Sequence, residues 1–246
     1  MIMDNYTGEV VRLYGRNSTL SNTRENLAAH STFVDYSSVT TATKIQVSSA
    51  SADDDAAGTG ARTIRVLGLD NDYNFQYEDI TMDGQTAVES SKSFIRVFCA
   101  EVTSAGSGQT NAGIIYIIVS GTGGTYSGGV PGTLTGVWIQ IIAGYGTETS
   151  GMFTVPAGRH YLIESGYAAA VTQISNIQIW SYHPTNGVLL NNFSTIVGVG
   201  AQVDITTVAP QGAIYPAKTD IYLRGLSYTA GGNANATIFF RWVQRS

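Results

Sequence analysis

The feature that most restricts the fold of this chain is a two-residue alternation of apolar and polar side chains, which recurs from Ala42 onward. Clear examples are the segments 43–47, 62–67, 75–82 and 93–98. Such alternation turns one face of each strand toward a core and the other toward water. No stretch of ten or more residues shows the 3.6-residue period of a helix. The sequence therefore predicts an all-β fold.

One apolar run does not alternate. Residues Ile114–Val119 are almost entirely apolar, which is typical of a strand that is covered on both faces. The run is far shorter than the ~20 residues that a helix needs to span a bilayer. We therefore expect a doubly buried strand here and no association with a membrane.

The second half of the chain has the same strand-rich character. A glycine-rich segment, Gly121–Gly132, separates it from the first half and is interpreted as a flexible seam. Short strands at this spacing predict two antiparallel β-sandwich modules, jelly-roll-like, at 42–128 and 129–246. One continuous large sandwich is the alternative. The strands expected in the second half are 137–142, 160–165, 175–183, 188–197, 201–208, 219–229 and 236–244.

Residues 1–41 differ from the rest because their apolar residues are scattered among charged ones. We interpret them as an extended N-terminal arm, in which Ser21 could cap one short helix that ends at Leu27. A floppy terminus is the alternative. If the protein assembles, such an arm is expected to dock on neighbouring subunits.

Composition excludes several classes of protein. Of the 246 residues, 13% are charged, about half of the roughly 25% usual in soluble domains, yet 43% are hydrophobic, which is too many for a disordered chain. The net charge is −5 and the ten arginines are scattered, so no nucleic-acid binding is expected. Cys99 is interpreted as a buried strand residue. The N-terminus lacks the pattern of a signal peptide, and assembly in a cytoplasm is expected.

Catalytic motifs are not found in the sequence. It contains no Gly-x-Ser-x-Gly, His-Glu-x-x-His, Walker or Gly-x-Gly-x-x-Gly pattern. His30, His160 and His183 lie far apart and are interpreted as structural or surface residues, although a triad could assemble in space. We therefore expect no enzymatic activity, no catalytic, cofactor-binding or metal-binding residues, and no cofactor.

Two acidic clusters could bind a cation, but turns explain them better. Asp70-x-Asp72-x-Asn74 resembles the start of a calcium loop, but the required Gly and Glu do not follow. The neighbouring carboxylates of Asp53–Asp55 repel one another and favour a solvated loop tip. Glu78 and Asp79 are adjacent on a strand, so they point to opposite faces and cannot act together as a glycosidase pair.

Aromatic residues near glycine-rich loops suggest a second kind of function. Tyr73, Tyr126 and Tyr145 could stack on sugars, as tyrosines on sandwich loops can. The alternative is ordinary packing, because tyrosine is favoured in strands.

Five turn-and-strand segments share one further feature, and they are 53–70, 77–84, 86–88, 153–162 and 215–221. Together they resemble segments of virion structural proteins of tailed bacteriophages, many of them aquatic. The resemblance implies a non-enzymatic component of the particle, located in the virion.

The resemblance and the low surface charge lead to one expectation about assembly. Uncovered strand edges invite aggregation, and oligomerisation covers them. We expect a capsid decoration, cement or shell protein that forms a homotrimer and contacts other capsid or virion proteins. The alternatives are a carbohydrate-binding module for host attachment, a tail or baseplate component and, more remotely, a hydrolase.

Overall fold

The computed structural model describes residues 10–29, 36–205 and 214–242. Within them the chain forms β-strands and a 3-10 turn at Tyr36–Ser38, and all pairs of named strands are antiparallel. The predicted all-β, sandwich-like fold is confirmed. The strands are β1 (Val10–Leu20), β2 (Glu25–Asn26), β3 (Ile45–Ser49), β4 (Ala61–Leu69), β5 (Phe75–Thr81), β6 (Val88–Glu89), β7 (Arg96–Ala105), β8 (Ile115–Val119), β9 (Tyr126–Ser127), β10 (Val130–Pro131), β11 (Val137–Ile141), β12 (Thr147–Thr149), β13 (Met152–Thr154), β14 (Tyr161–Ala170), β15 (Ser175–His183), β16 (Val188–Val197), β17 (Ala201–Asp204), β18 (Ile214–Tyr215), β19 (Asp220–Ser227) and β20 (Gly232–Trp242).

The chain folds as two compact units. The first, which we call the split unit, consists of residues 1–33 together with 151–246, and the second, the inserted unit, consists of residues 34–150. The predicted boundary between residues 128 and 129 is wrong. It falls inside the inserted unit because β8 and β11, on either side of it, are hydrogen-bonded neighbours in one sheet.

The split unit contains two sheets. One has the order β1-β20-β14-β17, with β18 also pairing with β14, and the other has the order β13-β19-β15-β16, with β2 also pairing with β19. A cluster of buried aromatic rings joins them. The ring of Phe153 stacks on Phe240 at 5.8 Å and meets the edge of Tyr161 at 5.5 Å, and Tyr215 lies against Phe240 at 6.2 Å. Phe153 lies in one sheet and the other three in the second, so this cluster is the core between them.

An edge strand of the split unit is interrupted by the inserted unit. Strands β2 and β13 lie end to end along β19. Where they meet, the amide of Leu27 donates to the carbonyl of Leu223, and the amide of Leu223 donates to the carbonyl of Gly151, both at 2.9 Å. Gly151 has φ +70, and a Cβ there would lie 2.3 Å from the Leu27 carbonyl oxygen. The chain segments at the facing ends of β2 and β13 therefore meet on β19 in one tight junction, which requires a glycine.

The predicted N-terminal arm is wrong for the residues that the structure describes. Residues Val10–Leu20 form β1, which pairs with β20, and Leu13, Leu20 and Leu27 are buried. The predicted helix from Ser21 to Leu27 is also wrong, since this segment is a loop followed by β2. The physical reason is that long-range pairing, of β1 with β20 and of β2 with β19, outweighs the weak local helix signal. Residues 1–9 and 30–35 lie outside the described residues.

The inserted unit contains two four-stranded sheets, with the orders β11-β8-β3-β6 and β12-β7-β4-β5, and the two-stranded hairpin β9–β10. The 3-10 turn helps to join the two four-stranded sheets. The ring of Tyr36 meets Trp138 of the first sheet edge-on at 5.6 Å, and its hydroxyl donates to the carbonyl of Val97 in the second sheet at 3.0 Å. The guanidinium of the buried Arg96 lies over the Tyr36 ring at 4.6 Å and donates to the carbonyl of Val39 at 3.0 Å.

Strand β8 is buried on both faces, as its apolar run predicts. Tyr116 and Ile118 belong to a cluster that the β9–β10 hairpin covers through Tyr126 and Val130. The Tyr126 hydroxyl also donates to Oε1 of Gln46 at 3.2 Å. The prediction of a flexible seam at Gly121–Gly132 is therefore wrong, because this segment folds as a hairpin onto the sheet.

Several local predictions are confirmed. Strands β15 and β16 have the predicted limits, 175–183 and 188–197. Cys99 is a buried residue of β7. Strand β14 extends to Ala170, five residues beyond the predicted end at residue 165.

Candidate interaction surface

One of the two described histidines, His183, serves the local structure of the split unit. His183 ends β15, where its Nδ1 accepts a hydrogen bond from the Thr185 amide at 3.2 Å and its Nε2 lies 3.2 Å from the Ala217 carbonyl oxygen. This arrangement fixes the turn after β15. His160 precedes β14 and is half-buried. His30 lies outside the described residues. The positions of His160 and His183 give no support to a catalytic triad that assembles in space.

The three adjacent aspartates of the inserted unit do not behave alike. Asp53 is exposed, as expected of a loop tip, but Asp54 is fully buried. The Asp54 carboxylate accepts hydrogen bonds from the Ser49 hydroxyl at 2.5 Å and from the amides of Ala61, Ala112 and Gly113 at 2.7, 2.8 and 2.9 Å. These donors come from three separate segments of the chain, so Asp54 ties the loops at one end of the unit together.

The other acidic candidates are also occupied by neighbouring protein groups. Asp70 accepts from the amides of Asp72 and Asn74 at 2.9 Å, which makes the segment a turn. Glu78 accepts from the amides of Ser91 and Lys92. In the described ranges 10–29, 36–205 and 214–242, no group of three or more His, Cys, Asp or Glu side chains could hold a metal ion.

The three tyrosines proposed for stacking on sugars lie in different environments. Tyr73 is buried, with the Arg96 guanidinium over its ring at 5.6 Å. Tyr126 is half-buried in the hairpin, and burial raises the pKa of its hydroxyl. Tyr145 is 56% exposed and is the one of the three whose ring could take up a ligand.

Large exposed apolar side chains are unevenly divided between the units. Ten of the thirteen in the described part of the chain lie in the split unit. Four of them belong to β16, which pairs with β15 alone among the described strands and ends its sheet. They are Val188, Leu189, Leu190 and Ile196. An exposed edge strand with apolar side chains is a template for pairing with another chain.

Five exposed apolar residues, Ile196 among them, lie at one end of the split unit. We call this group of residues the apolar end. It consists of Val171, Ile174, Ile196, Val199 and Tyr228, which are 47–59% exposed. Backbone bonds connect the loops that carry them. The amide of Tyr228 donates to the carbonyl of Ile174 at 3.0 Å, and Val199 forms a bridge with Ala170, the residue before Val171. Ile196 pairs with Asn176, two residues beyond Ile174.

Charge is missing from the sequence around this surface. From Ser165 to Val203 the chain contains no Asp, Glu, Lys or Arg. Edge strands that remain in water usually carry charges, especially lysine, which prevent pairing. Sequence motifs do not reveal this surface, because a motif consists of residues that are present, whereas the signal here is a long segment from which charged residues are absent.

Comparison with protein-family models and with the sequences of curated proteins finds no match for this chain. Among the residues that the structure describes, no helical segment has the length and apolar character needed to cross a membrane.

Proposed function

We propose that this protein is a structural component of a virus particle, a capsid decoration, cement or shell protein, which assembles as a homotrimer. The observation that carries the proposal is the exposed, uncharged surface formed by β16 and the apolar end of the split unit. Exposed apolar surface that is not interrupted by charge often marks interaction sites in soluble proteins. The resemblance to virion structural proteins of tailed bacteriophages supplies the biological setting.

The free energy gained by burying these side chains, set against the cost of association, indicates how much of the surface an assembly needs. Burying a side chain that is about half exposed contributes about 1 kcal/mol, so the five residues of the apolar end contribute about 5 kcal/mol per chain. Association costs about 4–15 kcal/mol. The apolar end alone is therefore marginal, and a stable oligomer also needs the backbone hydrogen bonds that the free edge of β16 offers.

The side chains that could carry chemistry are engaged in the protein itself. Asp54, Asp70 and His183 all hold turns or loops through hydrogen bonds. Their use in structure favours an architectural role over a hydrolytic one.

The first test is the native mass in solution, measured by light scattering. We expect a species of three times 26.1 kDa. Ile196→Lys places a charge in the apolar end and should reduce the mass to that of a monomer. Leu134→Lys, at a 45% exposed position of the inserted unit, is the matched control and should leave the mass unchanged. A protein that is monomeric at all concentrations contradicts the proposed trimer.

The second test is the molar ratio of this chain to the other proteins in purified particles. A shell or decoration protein is present in hundreds of copies, whereas a tail or vertex component is present in far fewer. Ile196→Lys should lower the occupancy of the particle, and full occupancy by this variant would contradict a role for the apolar end.

A second candidate function is a carbohydrate-binding module for host attachment, and the observation that favours it is Tyr145. Its ring is 56% exposed between Gly144 and Gly146, both of which have positive φ. A glycan array tests this function, with Tyr145→Ala as the variant that should lose binding. Wild-type signals at background level would exclude it.

A further inference from the structure

The two units have the same strand order. In the split unit, we number the strand positions along the chain as 1 (β1), 2 (β2 with β13), 3 (β14), 4 (β15), 5 (β16), 6 (β17 with β18), 7 (β19) and 8 (β20). Its two sheets then have the orders 1-8-3-6 and 2-7-4-5, which is the arrangement of an eight-stranded jelly roll.

The inserted unit has this arrangement with a different starting point. Its sheets β11-β8-β3-β6 and β12-β7-β4-β5 have the same two orders when β11 and β12 take positions 1 and 2, and β3 to β8 take positions 3 to 8. The first two positions of this unit are thus filled by its last two strands.

Followed from the N-terminus, the positions therefore run from 1 to 8 twice. The first series is β1 to β8, residues 10–119, and the second is β11 to β20, residues 137–242. The two series have nearly the same length. In each series the first two strands complete the other unit: β1 and β2 belong to the split unit, whereas β11 and β12 belong to the inserted unit.

We propose that the chain is a duplicated jelly roll whose halves exchange their first two strands, and that residues 10–27 can complete the split unit of a second copy in the same way. We call residues 10–27 the donor segment. This inference deepens the proposed function, because it names a contact through which copies of the chain would be linked, and it rests on that function.

The contacts of the donor segment are extensive and specific. Strand β1 pairs with β20 from Val10 to Leu20, and its Leu13 and Leu20 are buried. A Cβ at Gly15 would lie 2.3 Å from the Leu27 carbonyl oxygen, so the two strands of the segment pack closely on each other. The Arg24 guanidinium lies over the Trp180 ring at 4.6 Å, and its Nε donates to Oε1 of Gln178 at 2.8 Å.

A second copy of the chain offers an identical acceptor. All contacts within the split unit would be kept if the donor segment came from a second copy. The free-energy difference between the exchanged and the single-chain arrangement therefore depends on the connecting residues and on the local concentration of copies. Residues 28–33 connect the donor segment to the inserted unit and can span about 20–22 Å when fully extended. High local concentration in a trimer or on a particle would favour exchange.

Disulfide trapping tests the exchange. Arg16 and Asn235 are partners in the β1–β20 ladder, and directly opposed residues of antiparallel strands have the spacing that a disulfide needs. In a Cys99→Ser background, the double variant Arg16→Cys/Asn235→Cys can close within one chain. An equimolar mixture of chains that carry Arg16→Cys or Asn235→Cys alone, co-expressed or refolded together from urea, can form this disulfide only between chains.

We expect the mixture to give a disulfide-linked heterodimer on non-reducing gels, which disappears on reduction. A double variant that closes within the chain, beside a mixture that gives no heterodimer, overturns the exchange. Light scattering on the same samples separates the two proposals. A trimer without the heterodimer leaves the proposed function and removes the exchange, whereas a heterodimer after refolding of an otherwise monomeric protein supports the exchange and removes the trimer.

Discussion

Strands β5 and β16 occupy the same edge position in two units of the same strand order, but their surfaces are opposite in character. On β5, Glu78 and Asp79 are charged, and the exposed Tyr77 ring is flanked by the cations of Arg65 at 4.6 Å and Lys92 at 5.6 Å. Strand β16 carries no charge. Because the fold is the same, the fold does not dictate the chemistry of this edge. The charges on β5 suit a strand that stays in solvent, whereas β16 lacks the charges that usually prevent an edge strand from pairing.

The two units also differ in how their interiors are held together. In the inserted unit a single buried carboxylate, that of Asp54, joins several loops. In the split unit the buried Asp220 accepts a hydrogen bond from the Thr154 hydroxyl at 2.5 Å, and aromatic rings fill much of the space between the sheets. Substitutions at these places should therefore act on one unit at a time.

The largest effect is expected for Asp54→Ala in the inserted unit. Removal of the carboxylate leaves a hydroxyl and three amides without their acceptor, at about 1–3 kcal/mol each, so the free energy of unfolding should fall by about 4 kcal/mol or more. Calorimetry measures the loss, and hydrogen exchange should locate it in residues 36–150. The control Asp53→Ala, at an exposed position, should change stability by less than about 0.5 kcal/mol. Equal effects of the two substitutions would contradict the special role of Asp54.

The next effect is expected for Leu27→Ala in the donor segment. Leu27 is fully buried in the split unit, and truncation of a buried leucine costs about 2–5 kcal/mol. Hydrogen exchange should show the loss of protection in β1 and β19 rather than in the inserted unit. Leu134→Ala, at an exposed position of the inserted unit, is the control. A change below about 0.5 kcal/mol for Leu27→Ala would show that the donor segment is a peripheral arm, as the sequence first suggested.

The strands were largely predictable from local patterns, because alternation and flanking turn residues are local signals. Strands β15 and β16 are examples with the correct limits. The sheet orders were not predictable, since β1 pairs with β20 and no local pattern identifies a partner more than 200 residues away. The run at Ile114–Val119 indicated that both faces of β8 are covered. It could not indicate that the glycine-rich segment 121–132 supplies the cover, because glycine-rich hairpins and flexible linkers have similar compositions.

The candidate surface was predictable only in part. Low overall charge and uncovered edges suggested self-association. The position of the surface became visible when β16 was placed at the end of its sheet and Val171, Ile174 and Val199 at one end of the unit. These residues are brought together by loops from different strands, and their spacing in the sequence contains no repeating pattern.

The split unit should also respond to alkaline pH in a characteristic way. Burial raises the pKa of Tyr215 to about 12, against about 10 in an unfolded chain. Because the folded pKa is the higher one, the full contribution of Tyr215 to stability is present below pH 10 and is lost as the pH rises toward 12. The loss is up to about 3 kcal/mol.

The variant Tyr215→Phe should remove the part of the loss of stability at alkaline pH that Tyr215 causes. The measurement is the free energy of unfolding of the wild type and the variant at neutral pH and near pH 12, combined with an absorbance titration of the phenolates. Tyr228→Phe, at a 56% exposed position of the same unit, is the control and should leave the loss of stability at alkaline pH as it is in the wild type. Parallel pH profiles for the wild type and Tyr215→Phe would contradict the assignment.

The smallest change in stability is expected at the charged edge of the inserted unit. It tests the comparison of β5 with β16 most directly. The Arg65 guanidinium donates to Asp79 in two places, from Nε at 2.5 Å and from Nη2 at 2.7 Å. These hydrogen bonds hold the pKa of Asp79 below its usual value. The pair is partly exposed, so solvent screening limits its contribution to about 0.2–1 kcal/mol. Because the folded pKa is the lower one, the contribution is present above the unfolded pKa and is lost as the pH falls through the folded pKa.

Asp79→Asn should therefore lower the free energy of unfolding slightly at neutral pH and have no effect in strong acid, where the wild-type carboxyl is protonated too. Asp72→Asn, in an exposed turn of the same unit, controls for a general effect of charge. The double variant Glu78→Gln/Asp79→Asn makes β5 resemble β16, and light scattering should then detect new association through the inserted unit. If this neutral β5 leaves the native mass unchanged, charge is not what distinguishes the two edges, and the shape of the apolar end must account for the difference.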